Sequence, residues 1–319
     1  MVRLLSRQHI DDAAYNRCVA LSPQRVVYAF SWYLDVVSPG WELLVEGDYD
    51  YVMPLPVRRR YGVKSVIQPL FCHQLGVFSV GETPDAAVLS RFLETLQHHI
   101  RHAPSYQFHA ANASALVNES VQFIPMTNHV LNLQKPYAEL AAGYSKDRKN
   151  NLKRGLQHEW EFLDTDDVAP LIDLFRKYNT AGIGRVAPRA YDQLRQLVAV
   201  LQHRQQVTIR VARQNGRIEA GCLLVTDVNR IIHLFCAASP EGRKGNARTV
   251  MLDQFIREYA GQPLWFDFES PEVESLAAFN RSFGAQPEPY VRLVSNQLPD
   301  SVRFLHRMKQ WLQQTLFPR

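Results

Sequence analysis

Apolar positions recur along this chain with two periods, 3.6 and 2, which alternate in blocks. A polar helix is predicted around Asp11 to Val19, and the aromatic run Val26 to Tyr33 starts another near Ser31. Residues 42–46 and 50–57 alternate as a hairpin turning at Glu46-Gly47-Asp48, and strands are expected at about 64–70 and 73–78. Thr83-Pro84-Asp85 opens a helix with a capping hydroxyl, a proline and an acid; Val88, Leu89, Phe92, Leu93, Leu96 and Ile100 lie on one of its faces. Short strands follow near 105–109 and 121–133.

The second half runs through the same order. Val168, Leu171, Ile172, Phe175 and Tyr178 mark one helix, and Tyr191, Leu194, Leu197, Val198 and Leu201 another. Strands are expected at about 207–213, 217–225 and 230–237, with Gln214-Asn215-Gly216 as a hairpin turn. A helix with Val250, Leu252, Phe255, Ile256 and Tyr259 facing inward comes next. The strand Leu264 to Phe268, a helix through Leu276, Phe279 and Phe283, and a last strand near 289–294 complete the order. The repetition is one of topology and predicts two similar α+β domains of mixed sheets flanked by helices, at 1–134 and 166–319. A basic connecting helix is expected within 135–165, and an amphipathic helix at about Ser301 to Leu316.

Composition adds bounds to this pattern. With 319 residues, 46% hydrophobic and 21% charged, the chain suits a globular protein with a full core. The net charge of +5 and pI near 9.0 favour anionic partners such as nucleotides, CoA, RNA or anionic headgroups, or serve solubility alone. The four cysteines, Cys18, Cys72, Cys222 and Cys236, form no CxxC pair; Cys222 and Cys236 lie in apolar strand-like runs, where a reduced thiol acts as a small hydrophobe, and the usage is not that of a disulfide framework. No leader-like apolar core and no membrane span are seen, so a cytoplasmic location is expected. His98, His99 and His102 lack a Cys or carboxylate to complete a metal site, and no metal is expected.

Candidate chemistry concentrates between Asn229 and Tyr290. The turn Glu241 to Ala247 sits where a strand hands over to a helix, so free N–H groups and the helix dipole favour an anion there. Arg243, Lys244, Gly245, Asn246 and Ala247 are the candidate carrier-binding residues; a solvated surface turn is the plainer reading. Asp267 and Glu269 alternate with Phe266 and Phe268 and are expected on one face of a strand, where either carboxylate would accept an amine proton or, at a strand end, cap the next helix or pair with an Arg. His233, in the run Ile231 to Phe235, reads first as a core histidine. Lys146, Arg148, Lys149, Asn151 and Lys153 form the candidate substrate-binding face, with Lys146, Lys149 and Lys153 at helical spacing; the alternative is a solvated face. Arg58-Arg59-Arg60 with Lys64 reads as a surface patch, and the C-terminal helix as packed on the second domain rather than on a membrane.

Four segments carry a family resemblance. Tyr144 to Arg154 resembles the Ser-x-x-x-Arg-x-Asn-Leu-Lys-like segment of FemAB-like and related GNAT acyltransferases. Phe266-Asp267-Phe268-Glu269 and Phe279-Asn280-Arg281-Ser282-Phe283-Gly284-Ala285 resemble the strand and Phe-Gly helix of the same group, and Tyr28 to Asp35 fits members with a two-domain layout. The resemblance implies tandem GNAT-like domains and transfer of an acyl or aminoacyl group to a small-molecule or peptide amine. It implies acyl-CoA as co-substrate, with no permanently bound cofactor, and Tyr290 as the acid for a leaving thiolate, against a plainer role as a packed tyrosine. The phosphate loop departs from the family pattern Gln/Arg-x-x-Gly-x-Gly/Ala, because Gly242 stands at its head. Two alternatives remain: a binding or scaffold protein that kept the fold, and tRNA-dependent aminoacyl transfer of Fem type, for which no coiled-coil arm is seen.

Overall fold

The computed structural model describes residues 1–60, 62–116, 122–180, 186–269 and 273–298. The expected C-terminal helix near Ser301 to Leu316 lies outside them. The chain divides into two compact units, one of residues 1–125 and 290–319, the other of residues 126–289. The structure is α+β with mixed sheets, as the pattern predicts.

The first unit contains β1 (Arg3–Ser6), α1 (Asp12–Leu21), α2 (Ser31–Val37), β2 (Glu42–Glu46), β3 (Tyr51–Leu55), β4 (Val57–Arg60), β5 (Val63–Ile67), β6 (Phe78–Ser79), α3 (Ala86–His99), β7 (His102–Phe108) and α4 (Ala110–Ala113). Strands β1, β2, β3 and β6 form an antiparallel sheet with the expected hairpin at its centre. Strand β4 pairs with β5, and β5 runs parallel to β7. Helix α3 starts two residues later than Thr83-Pro84-Asp85 suggests, because the Asp85 carboxylate caps Val88 N; its predicted apolar face is buried.

The chain continues through β8 (Gln122–Asn132), α5 (Tyr137–Ala142), α6 (Lys146–Gly155), β9 (Glu161–Asp164), α7 (Ala169–Tyr178), α8 (Pro188–His203), β10 (Val207–Gln214), β11 (Arg217–Asp227), β12 (Arg230–Ala238), α9 (Pro240–Lys244), α10 (Ala247–Tyr259), β13 (Trp265–Asp267), α11 (Glu274–Arg281) and β14 (Gln286–Asn296). In the second unit β9 to β12 form an antiparallel meander, β13 pairs parallel to β12, and β8 pairs antiparallel to β13. The expected connecting helix is two helices, α5 and α6, followed by β9. It breaks at Gly143–Ser145, where the Ser145 hydroxyl accepts from Arg148 N and starts α6.

The core of the second unit joins α10 to the sheet through Met251, Leu252, Phe255, Ile256, Leu224, Ile231 and Phe266. Burial of such side chains stabilises by about 1.5–3 kcal/mol each. The parallel β12–β13 ladder is short: it covers Arg230 to Ile232 against Trp265 to Asp267 and then stops, while β12 runs on to Ala238. The rest of β12 thus has one edge outside that ladder.

Candidate functional site

Two of the family-like segments of the second unit meet. Ser145 N donates to Ser282 O (2.9 Å), and Gly284, at φ +78°, lies so close to Gly143 that an added Cβ would sit 3.2 Å from its carbonyl oxygen. Arg148 spans this junction. Its Nε donates to Ser282 Oγ (2.8 Å), and its Nη1 donates to Thr249 Oγ1 (2.5 Å) on the first turn of α10. Its guanidinium lies 4.1 Å from the Phe279 ring centroid and 4.6 Å from that of Phe283. Arg248 also lies 4.1 Å from the Phe279 centroid. Cation–π contact supports both groups.

These two arginines are unusual in their charge balance. Arg148 is 6% exposed, and its partners are two hydroxyls. Neither Arg148 nor Arg248 is ion-paired to a carboxylate among the described residues. Burial, and next the neighbouring Arg248, bring the Arg148 pKa down to about 10. Beside them, α10 starts at Asn246 without a side-chain cap, so its first N–H groups add positive potential. The second unit therefore holds a positive corner at the start of a 13-residue helix.

The expected carrier turn is built differently. Arg243 and Lys244 end the short helix α9 and are exposed, with Arg243 Nη2 donating to Tyr178 O (2.9 Å). Gly242 is dictated by packing, since a Cβ there would lie 2.1 Å from Glu219 O of β11. A long side chain at the head of the loop is excluded by that strand. Gly245 makes room for Trp160, whose Nε1 donates to its carbonyl (3.0 Å); a Cβ would fall 2.3 Å from the indole. Asn246 takes the left-handed φ of 55°, and Ala247 is fully buried.

Asp267 and Glu269 do not share a strand face. Strand β13 ends at Asp267, and Glu269 has a left-handed φ of 44°, so the alternation assumed from sequence breaks. Asp267 accepts from Arg230 Nη1 (2.7 Å), Asn128 Nδ2 (2.8 Å) and Glu269 N (2.9 Å). Arg230 also binds Glu288 through Nη2 (2.8 Å). Asp267 is thereby a fixed anchor of a buried charge cluster, whereas half-buried Glu269 follows it on a strained turn. Tyr290 belongs to the first unit; it is buried, hydrogen-bonded to His73 Nε2 (3.2 Å) and edge-on to that ring.

The basic face divides in two. Lys146, Lys149 and Lys153 are exposed, with Lys149 Nζ donating to Ala142 O (2.7 Å), and Asn151 is half-buried, while Arg148 turns inward. Arg248, Thr249 and Ser282 were not expected as site residues. A sequence signal for them exists only in the inward face of α10 and the Phe-x-x-x-Phe-Gly pattern beside it.

Residues 142–271 match the family model described as Acetyltransferase (GNAT) domain. The fold is similar to that of FemX, with a TM-score of 0.64 at 10% identity over 95% of this chain and 99% of that one. It is similar also to the C-terminal domain of a putative lysylphosphatidylglycerol synthetase from Agrobacterium fabrum (TM-score 0.55, 12% identity, 95% and 98% covered). A tandem GNAT protein from the clavulanic acid biosynthesis pathway gives 0.54 at 12% identity over 94% and 100%. No curated protein matches. The family match marks residues 142–271 as a GNAT acetyltransferase domain, and the fold of the chain is the one shared by these proteins. Among the described residues no helix is long and apolar enough to cross a membrane.

Proposed function

We propose that the second unit takes its acyl group from an acyl-CoA, with the carrier's phosphates held at the first turn of α10 by Arg148 and Arg248. The observation that carries this reading is the buried guanidinium of Arg148, which has only neutral partners and a second arginine beside it. A buried cation without a counter-charge is costly, and a phosphate would relieve that cost through charge-assisted hydrogen bonds. The carrier site thus shifts from the expected Arg243–Ala247 turn to the helix start that follows it.

The acyl carbonyl then lies along the open edge of β12. Ser239 N donates to Glu219 O on the β11 side, and Ala238 N turns the other way to Asn179 Oδ1. Strand alternation points Cys236 N–H the same way as Ala238, where it would stabilise an oxyanion. Glu269 takes the proton of the attacking amine; Asp267 is held by Arg230 and positions the turn. The acceptor is a small-molecule or peptide amine, guided by Lys146, Lys149 and Lys153. Free thiols at all four cysteines suit a cytoplasmic location, where acyl-CoA is found.

A thermal-shift titration with acetyl-CoA and CoA tests this. The wild type should gain stability by mass action, and Arg148→Met should lose that gain. No shift with either ligand would overturn the reading. The exposed lysines support aminoacyl-tRNA as a second donor; that version predicts tRNA binding that weakens steeply with salt and with Lys146→Glu.

A further inference from the structure

Cys236 lies on β12 directly opposite Cys222 of β11, and its Sγ is 3.7 Å from Arg248 Nη1. The β11–β12 ladder is irregular at this point: Leu223 faces Phe235, but Leu224 faces His233, so Leu234 is an extra residue. Residues three apart on a regular strand point to opposite faces. The bulge cancels that alternation and brings His233 to the face of Cys236. The same residue shift leaves Phe235 on the other face, against Phe175 of α7 at 4.8 Å. His233 Nε2 is buried without a hydrogen-bond partner, and a hydrogen bond between the His233 ring and the Cys236 thiol helps to hold that thiol acidic.

The thiols of this chain differ sharply in acidity. Burial pushes Cys18 up to about 12 and Cys222 well above its ordinary value. Burial also acts on Cys236, but the charges of His233 and Arg248 outweigh it and bring this thiol down to about 6. As a residue Cys236 is half-buried, whereas the other three cysteines are buried. An apolar core position needs neither a bulge nor an arginine on sulfur.

We propose that Cys236 is a nucleophile that carries the acyl group between donor and amine, with His233 as its proton partner and Arg248 as support for the thiolate. The proposal rests on the acyl-transfer reading above. In the first half-reaction Sγ attacks the carbonyl carbon of the donor. The C–Sγ bond forms, the bond from that carbon to the carrier sulfur breaks, and the carrier leaves as a thiol with the proton from His233. In the second half the amine nitrogen attacks the acyl-cysteine, the C–Sγ bond breaks, and the proton lost by the amine returns to His233 through Glu269 or water. Thiolate and protonated histidine are restored, with no net oxidation or reduction. The N–H of Cys236 itself serves as oxyanion donor in both halves.

Rapid-quench intact-mass measurement with acetyl-CoA and with p-nitrophenyl acetate tests the relay. One acetyl group on the wild type, mapped to Cys236 and missing in Cys236→Ala, is expected. Hydroxylamine as the amine probe should discharge it. Iodoacetamide should alkylate Cys236 with a rate midpoint near pH 6. His233→Gln should move that midpoint at least one pH unit towards the ordinary thiol value of about 8.5. If Cys236→Ala transfers acetyl from acetyl-CoA to hydroxylamine as fast as the wild type and no adduct forms, the relay is wrong and the donor reading stands. If p-nitrophenyl acetate labels Cys236 while acetyl-CoA neither binds nor reacts, the nucleophile stands and the donor reading falls. An ordinary alkylation midpoint in the wild type, unchanged by His233→Gln, overturns the proposed thiolate pair.

Discussion

Two arginines of the second unit are withdrawn from solvent, and they are treated in opposite ways. Arg230 meets Asp267 and Glu288, and Asn128 donates to both carboxylates as well. Its charge is balanced from within, and its acidity falls because both carboxylates hold the proton against the pull of burial. Arg148 meets Ser282, Thr249 and two aromatic rings, with another arginine nearby. Coulomb energy at short range in a protein interior is large enough that such a contrast is not incidental. A balanced buried charge holds a fold together; an unbalanced one is costly to bury.

Four substitutions or titrations would break or sharpen that contrast. The largest effect is expected for Arg230→Met, which leaves Asp267 and Glu288 buried without their cation and should lower unfolding free energy by about 3–5 kcal/mol in urea titrations. A loss under about 1 kcal/mol would show that the cluster is not the anchor described. Next comes Glu269→Gln, for which acyl transfer should slow about 10²-fold with the melting temperature unmoved. Arg148→Met should do the reverse of Arg230→Met: stability changes by less than about 1 kcal/mol, because no partner charge is stranded. CoA affinity should nevertheless fall at least about tenfold, roughly 1.4 kcal/mol, by calorimetry. The smallest effect concerns His129, where burial first and Arg281 next hold the ring's pKa below its usual value. The folded state therefore prefers the neutral ring. Stability is complete above the unfolded value of about 6.5 and declines as pH falls through it towards the folded pKa. The urea midpoint should drop between pH 7.5 and 5, and His129→Gln should flatten the drop.

The fold was largely legible because its elements announce themselves locally. The Gln214-Asn215-Gly216 turn fixes the β10–β11 hairpin, and the predicted inward residues Val250, Leu252, Phe255 and Ile256 are buried. The basic segment was legible only in part. The exposed stripe of Lys146, Lys149 and Lys153 follows helical spacing, but Arg148 does not belong to it. Arg148 lies on the face of Leu152 and Gly155, and that apolar face was the available sign that it turns inward. Glu269 was misplaced on the face of Asp267 because a left-handed residue after a three-residue strand leaves no periodic trace. The bulge at Leu234 is equally silent, since it reflects how two strands pair rather than either strand alone. Gly242 looked like a lost phosphate contact; the approach of Glu219 supplies a steric cause that only tertiary structure reveals.

The division of the chain into units has a consequence for how the molecule is made. The second unit is one uninterrupted stretch, whereas the first takes residues 1–125 and then residues from 290 onward. The strand Val291 to Asn296 pairs with β7, nearly two hundred residues earlier in the chain. During synthesis the N-terminal part must therefore wait, with that strand edge unfilled, until the entire second unit has emerged. Order of folding here runs against order of translation: the unit begun first is finished last, and until then one edge of β7 lacks its partner strand.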